Sequence, residues 1–205
     1  MSVLAIDAGN SRIKWGWFED GAWRARSGLA TAEAAGLEAA WHALAQPGRV
    51  VRGQIAAALA RRFRAEALWI AARERQCGVV SSYRHPGQLG ADRWAMLIGA
   101  WQRFRGPCIV VGAGTTVTVD ALSGDGVFLG GLIIPGAGLM REALAGGTAQ
   151  LGLQEGGFHF FPDCTADAIA SGAINALCGA VERMLRFLQE TGELMPCVVL
   201  SGGAV

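Results

Sequence analysis

The chain has 205 residues, 52% of them apolar, enough to bury a sizeable core in one domain or two compact lobes. Its 18 basic and 17 acidic residues leave a formal net charge of +1, spread so evenly that no field for nucleic acid is built and none is expected as a partner. Lys14 is the only lysine and no Gly-x-x-x-x-Gly-Lys occurs, which excludes a Walker-type P-loop.

From the N-terminus, the apolar run at 3–6 ends at Asp7 and resumes at 13–18 after a Gly-Asn-Ser turn, the pattern of a β-hairpin. Glu19-Asp20-Gly21 makes a second turn into 22–27, so three antiparallel strands are expected. Thr31 is suited to cap a helix over 32–45, stopped by Pro47-Gly48. A helix at 55–64, a strand at 68–72 and a strand or loop at 78–83 follow, then a turn at His85-Pro86-Gly87. The helix predicted over 93–104 carries Trp94, Leu97, Ile98 and Trp101 on one face, a stripe that reads as core.

The opening pattern then repeats. Strands at 108–111, 117–120 and 127–134 are separated by a glycine turn at 112–116 and a Ser-Gly-Asp-Gly turn at 123–126. Helices are predicted at 139–145, 166–177 and on to 189, then a strand at 198–200 and a third glycine turn, Ser201-Gly202-Gly203. The repetition suggests duplicated lobes at 1–106 and 107–205 with a nucleotide clamped between them. Cys77, Cys108, Cys164, Cys178 and Cys197 form no Cys-x-x-Cys and are odd in number, as expected of reduced, packed thiols in a cytoplasmic protein. No signal peptide is expected, and the greasy run 127–140 is too broken by Gly and Pro to span a membrane.

Successive amides in a tight glycine turn form a concave donor set for phosphate oxygens. Gly112-Ala113-Gly114 does not read as a dinucleotide fingerprint, because Val117-Thr118-Val119 continues as a strand where a helix is required. His42, His85 and His159 have no zinc spacing.

Taken together, several motifs resemble one family. They are Asp7-Ala8-Gly9-Asn10-Ser11, Tyr83 with Pro86 and Gly90-Ala91-Asp92-Arg93, and the stretch from Gly114-Thr115-Thr116 to Asp120. Gly130-Gly131 with Pro135-Gly136, and Thr165 ahead of Ser171-Gly172, complete the set. In this order they look like type III pantothenate kinase, the family of the Bvg accessory factor relatives. The resemblance implies an α/β fold of two ribonuclease H-like lobes, as in the acetate and sugar kinase, Hsp70 and actin superfamily, acting as a homodimer. It also implies transfer of the ATP γ-phosphoryl group to the terminal hydroxyl of pantothenate, giving 4'-phosphopantothenate on the way to coenzyme A. Another small-molecule kinase of the same fold, or a non-catalytic regulatory relative, is the alternative.

By the same resemblance Asp7, Ala8, Gly9, Asn10, Ser11, Arg12, Ile13 and Lys14 form the first phosphate loop, with Asp7 beside Mg²⁺, a role a carboxylate at a strand end can fill. Gly114, Thr115, Thr116, Gly202 and Gly203 are further ATP contacts. Asp92 is the base for the pantothenate hydroxyl, and Tyr83, Gly90, Ala91, Arg93 and Thr165 are substrate contacts, Arg93 meeting the carboxylate. Where many members hold K⁺ or NH₄⁺ with an Asp, this chain has Gly112, so a monovalent cation is expected to be bound weakly or not at all. Another strand and turn would be expected near 49–54, and the family normally continues past Val205.

Overall fold

The computed structural model describes residues 2–9, 12–36, 49–52, 67–148, 151–152 and 155–203, which fall into two compact units, Met1–Ala71 and Ala72–Val205. In the first unit, β1 (Ser2–Ala8), β2 (Arg12–Glu19) and β3 (Ala22–Ala30) are antiparallel, as their apolar runs and turns predict. β4 (Arg49–Arg52) and β5 (Ala67–Trp69) add in parallel, giving the order β3-β2-β1-β4-β5. Leu4, Ile6, Ile13 and Trp17 are buried from β1 and β2.

Thr31 does not cap a long helix within the described residues. It opens a 3₁₀ turn, Thr31–Gly36, and its hydroxyl donates to the Gly9 carbonyl at 2.8 Å. The rest of the helix expected over 32–45, and that over 55–64, lie outside the described residues.

The second unit contains β6 (Arg75–Gln76), β7 (Val79–Ser81), helix α1 (Ala91–Phe104), β8 (Cys108–Ala113), β9 (Thr116–Leu122), β10 (Val127–Pro135), α2 (Ala137–Gly147), α3 (Thr165–Glu190) and β11 (Cys197–Gly202). Its sheet runs β11-β8-β9-β10-β7-β6. Alternate residues of β8 and β9 face opposite ways. Cys108, Val110 and Leu122 pack with Trp94, Leu97 and Ala100 of α1, whereas Ile109, Val111, Val117, Val119 and Ala121 pack with Leu188 of α3.

The boundary between units falls at Ala71/Ala72, earlier than the expected 106/107. The reason is pairing: β7 is parallel to β10, and Trp94 of α1 bonds Gln76 of β6 at 2.8 Å, so the stretch before β8 folds with the second unit. β1 to β3 in the first unit and β8 to β10 in the second each form a meander, and the next strand in sequence lies parallel to the first of the three: β3-β2-β1-β4 and β10-β9-β8-β11. The duplication read in the sequence is thus a duplication of topology.

Candidate active site

In the first unit, Asp7 is exposed near the end of β1, across from Lys14 in the β1/β2 register. The turn is held by the Gly9 amide, which donates to the Arg12 carbonyl at 3.0 Å. Arg12 and Lys14 are exposed, whereas Ile13 is fully buried, so its side chain serves the core rather than a ligand. Asn10 and Ser11 lie outside the described residues.

The second unit repeats this turn, with the Gly114 amide donating to the Thr116 carbonyl at 3.1 Å. The Thr115 carbonyl also accepts from the Gly136 amide at 2.9 Å, which ties the turn to the start of α2. Gly202, at φ +130°, closes against the Ala113 backbone so tightly that no side chain fits there. Gly202 is therefore placed beside the second glycine turn, and Gly203 follows it.

Gly90 precedes α1, with Ala91 and Asp92 in its first turn, two residues earlier than the sequence pattern begins the helix. Asp92 is exposed at that turn, where the helix N-terminus favours a negative charge. The next residue, Arg93, turns inward and is only 4% exposed.

The guanidinium of Arg93 makes a closed set of contacts. Its Nε donates to Asp120 Oδ1 and Oδ2 at 3.2 and 3.1 Å, its Nη2 to Oδ1 at 2.5 Å, and its Nη1 to the Tyr83 hydroxyl at 3.1 Å. The Tyr83 ring packs on Phe128, centroids 5.1 Å apart. Asp120 is completely buried. Burial pushes its carboxyl above the ordinary value, with Arg93 pulling it back and neighbouring Asp92 adding to the rise. For Arg93, burial works against the charge, but the hydrogen bond and charge of Asp120, then those of Tyr83, carry the guanidinium above its ordinary value. The two shifts pull the pair opposite ways; two N–H groups on one carboxylate, Nε shared between both oxygens and Nη2 on Oδ1, favour the ionised pair.

Gly131, facing Asp120 across β9 and β10, covers this pair. A Cβ there would collide with Asp120 Oδ1 and the Val119 carbonyl and stand 3.0 Å from Arg93 Nη2.

Tyr83 and Arg93 are therefore brought together, while Thr165 is not part of their network. Thr165 opens α3 and lines an apolar cleft of about 700 Å³ with Pro135, Met140, Leu144 and Ile169. At the same helix start, Asp167 accepts from the Gly157 amide at 2.8 Å and lies 3.4 Å from His159 Nε2. Asp120, the buried partner of Arg93, is a residue to which sequence reasoning gave no role. Its signal was an acid within the apolar strand Val117-Thr118-Val119-Asp120-Ala121-Leu122, which a buried position allows only with a charged partner.

The donor sets can be tested against the ions. Asp7 offers an exposed, hard oxygen donor beside a glycine turn, which fits a hydrated divalent cation. Gly112 does not fit a monovalent cation. Its strand is paired on both sides, with Thr118 and with Ser201, so its carbonyl belongs to the sheet ladder. An acid in its place would have its Cβ 2.7 Å from Met96 Cε and 2.8 Å from Thr118 Oγ1.

The strand order defines the class: an α/β protein of two units with like topology, β3-β2-β1-β4 and β10-β9-β8-β11. Two solved structures carry the same fold: a Campylobacter jejuni protein described as a Baf family transcriptional activator, and a Sinorhizobium meliloti protein described as a 2-dehydro-3-deoxygalactonokinase. The first has a TM-score of 0.58 at 17% identity, covering 98% of this chain and 91% of that one; the second has 0.56 at 16%, covering 98% and 87%. At such identities they speak to the fold alone.

The sequence comparisons reach the family. The model of type III pantothenate kinase matches residues 3–186. The type III pantothenate kinase of Nitrosospira multiformis is 45% identical over 210 residues, covering 98% of this chain and 80% of that protein. That of Aromatoleum aromaticum is 47% identical over 212 residues, covering 98% and 86%. The chain belongs to the type III pantothenate kinase family.

Proposed function

We propose that this chain transfers the γ-phosphoryl group of ATP to the terminal hydroxyl of pantothenate, giving 4'-phosphopantothenate, the first step of coenzyme A biosynthesis. The observation that carries the reading is local to α1: an exposed Asp92 is followed at once by an Arg93 locked into the sheet. A carboxylate on a helix anchored one residue away keeps its position, and position is what phosphoryl transfer asks of a base.

Asp92 accepts the hydroxyl proton late, as the new O–P bond forms in a loose transition state, so an ordinary carboxylate basicity is sufficient. Arg93 has five N–H donors; one hydrogen on each of Nη1 and Nη2 is left by its contacts with Asp120 and Tyr83. Because Tyr83 oxygen accepts from Nη1, its own hydrogen is free to donate. These donors suit the pantothenate carboxylate. Thr165 is read as a further substrate contact.

The two glycine turns are read as the ATP phosphate loops, the first with Asp7 and the second with Thr115. Asp7 would hold Mg²⁺, which neutralises charge on the phosphates when bound. No step is assigned to a monovalent cation. A homodimer and a cytoplasmic location belong to the same reading. Exposed Ile133, Phe160 and Phe161 supply apolar surface for a second copy, and no helix among the described residues is long and apolar enough to cross a membrane. The test is incubation with ATP, Mg²⁺ and pantothenate, with phosphopantothenate followed by mass spectrometry. Absence of that product, or faster phosphorylation of a sugar or acetate, would refute the reading.

A further inference from the structure

The contacts of Asp120 form a line rather than a cluster. Its carboxylate takes Nε and Nη2 of Arg93, which leaves Nη1 aimed at the Tyr83 hydroxyl, and Phe128 backs the tyrosine ring. Asp120 itself is fully buried beneath Gly131, so it has no route to substrate. Its influence must pass through Arg93.

That influence is directional. A tyrosine hydroxyl can donate or accept, and its hydrogen rotates to suit its surroundings. An arginine cannot accept, so the Nη1 contact forces the Tyr83 oxygen into the acceptor role and turns its hydrogen outward. The arrangement holds only while Arg93 is kept in one rotamer. The two-armed grip of Asp120 does this, since a planar guanidinium bonded by Nε and Nη2 has no freedom left to swing Nη1 away.

We propose that Asp120 is a positioning residue for the pantothenate subsite: through Arg93 it fixes the Tyr83 hydroxyl as a donor toward the substrate carboxylate. The inference rests on the reading of Tyr83 and Arg93 as pantothenate contacts. It adds that recognition by these two residues depends on a third, which never touches the substrate.

Tyr83 is the only tyrosine of the chain, so protein labelled with carbon-13 at tyrosine Cζ gives one NMR resonance for this hydroxyl. In the unaltered protein, pantothenate should move that resonance saturably. If it does not, the reading of Tyr83 as a substrate contact fails, independently of Asp120. In Asp120→Asn the resonance of the ligand-free protein should already be displaced. The KM for pantothenate should rise about tenfold, the scale of one misplaced hydrogen bond, while the KM for ATP stays within about twofold.

An unmoved resonance with an unchanged pantothenate KM would overturn the proposal. So would a parallel rise in both KM values, or a loss of active protein with both KM values intact, since those are marks of a merely structural acid. If Asp120→Asn does not fold, Arg93→Lys provides the second test. Lysine keeps a charge against Asp120 but has no second arm for Tyr83, so the same displaced resonance and the same split between KM values are expected. A Tyr83 resonance unaltered by that change would equally overturn the proposal.

Discussion

Replacing Gly131 by alanine adds one methyl group at the place where the sheet comes closest to the buried ion pair. The new Cβ would meet the Val119 carbonyl, which is held in the sheet, and Asp120 Oδ1, which accepts from two nitrogens of Arg93. The carbonyl has nowhere to go, so the carboxylate must move and the Nη2 contact must lengthen. Overpacking a core by a methyl costs roughly 1–3 kcal/mol, and leaving one member of a buried pair uncompensated costs about 3–5 kcal/mol. Partial displacement lies where these ranges meet, about 3 kcal/mol. At ~2–4 °C per kcal/mol for a chain of this size, the melting temperature should fall by roughly 6–12 °C. Differential scanning calorimetry measures this directly. Gly99→Ala serves as the control: it lies within α1 with nothing near its Cβ, and should stabilise by up to ~1 kcal/mol through helix propensity. If Gly131→Ala melts with the unaltered protein while Gly99→Ala behaves as expected, the account of the pair and its covering glycine is wrong.

Asp92→Asn should lower turnover by at least ~100-fold while ATP still binds, because a positioned base contributes on that scale; near-normal turnover would remove Asp92 from the role. Exchanging K⁺ for a bulky organic cation should leave turnover unchanged, since Met96 and Thr118 crowd the Gly112 position, and strong K⁺ activation would refute that fit. The Asp167 carboxyl is held below its ordinary value of 3.8, first by the Gly157 amide, then by Cys164, with His159 adding to both. A depressed carboxyl stabilises the fold above its unfolded pKa and loses that contribution as pH falls through the folded one. The Asp167 carboxyl resonance, followed by NMR together with the Gly157 amide, should therefore titrate with a midpoint below 3.8; a midpoint above 3.8 would contradict the assignment. Burial, with Cys197 beside it, pushes the Cys108 thiol up to about 12, so iodoacetamide at pH 8 should modify exposed Cys77, Cys164 and Cys178 and spare Cys108.

What the sequence made legible was local. Turns at Asp20-Gly21 and Gly114-Thr115 punctuate short apolar runs, so β1 to β3 and β8 to β10 could be read in order. α1 was visible from its Trp stripe, because one face of that helix meets the sheet. α3, read at 166–177 and on to 189, is one helix of 26 residues, since packing on the sheet carries it through Gly172 and Gly179. The Thr31 hydroxyl donates to a carbonyl of a distant turn, a contact that no helix propensity anticipates.

The site divided in the same way. Asp92 and Arg93 are neighbours in sequence, and the Gly-Ala-Asp-Arg motif pointed to both. Asp120 lies 27 residues from Arg93 and Tyr83 lies 10 residues before it, and only the crossing of α1 over β9 and β7 unites them. The division at Ala71/Ala72 was hidden for the same reason: a strand of three residues, Val79–Ser81, has no local sign that its partner is β10.

The parallel pairing of β11 with β8 bears on the order in which the chain can be completed as it is made. Cys108-Ile109-Val110-Val111 becomes an interior strand only when Cys197–Gly202 docks beside it. Until that stretch leaves the ribosome, β8 presents its outer backbone groups and four buried-type side chains as an open edge, the kind of surface on which nascent chains pair with one another. The strand that brings the third glycine turn into place thus also closes the edge of β8.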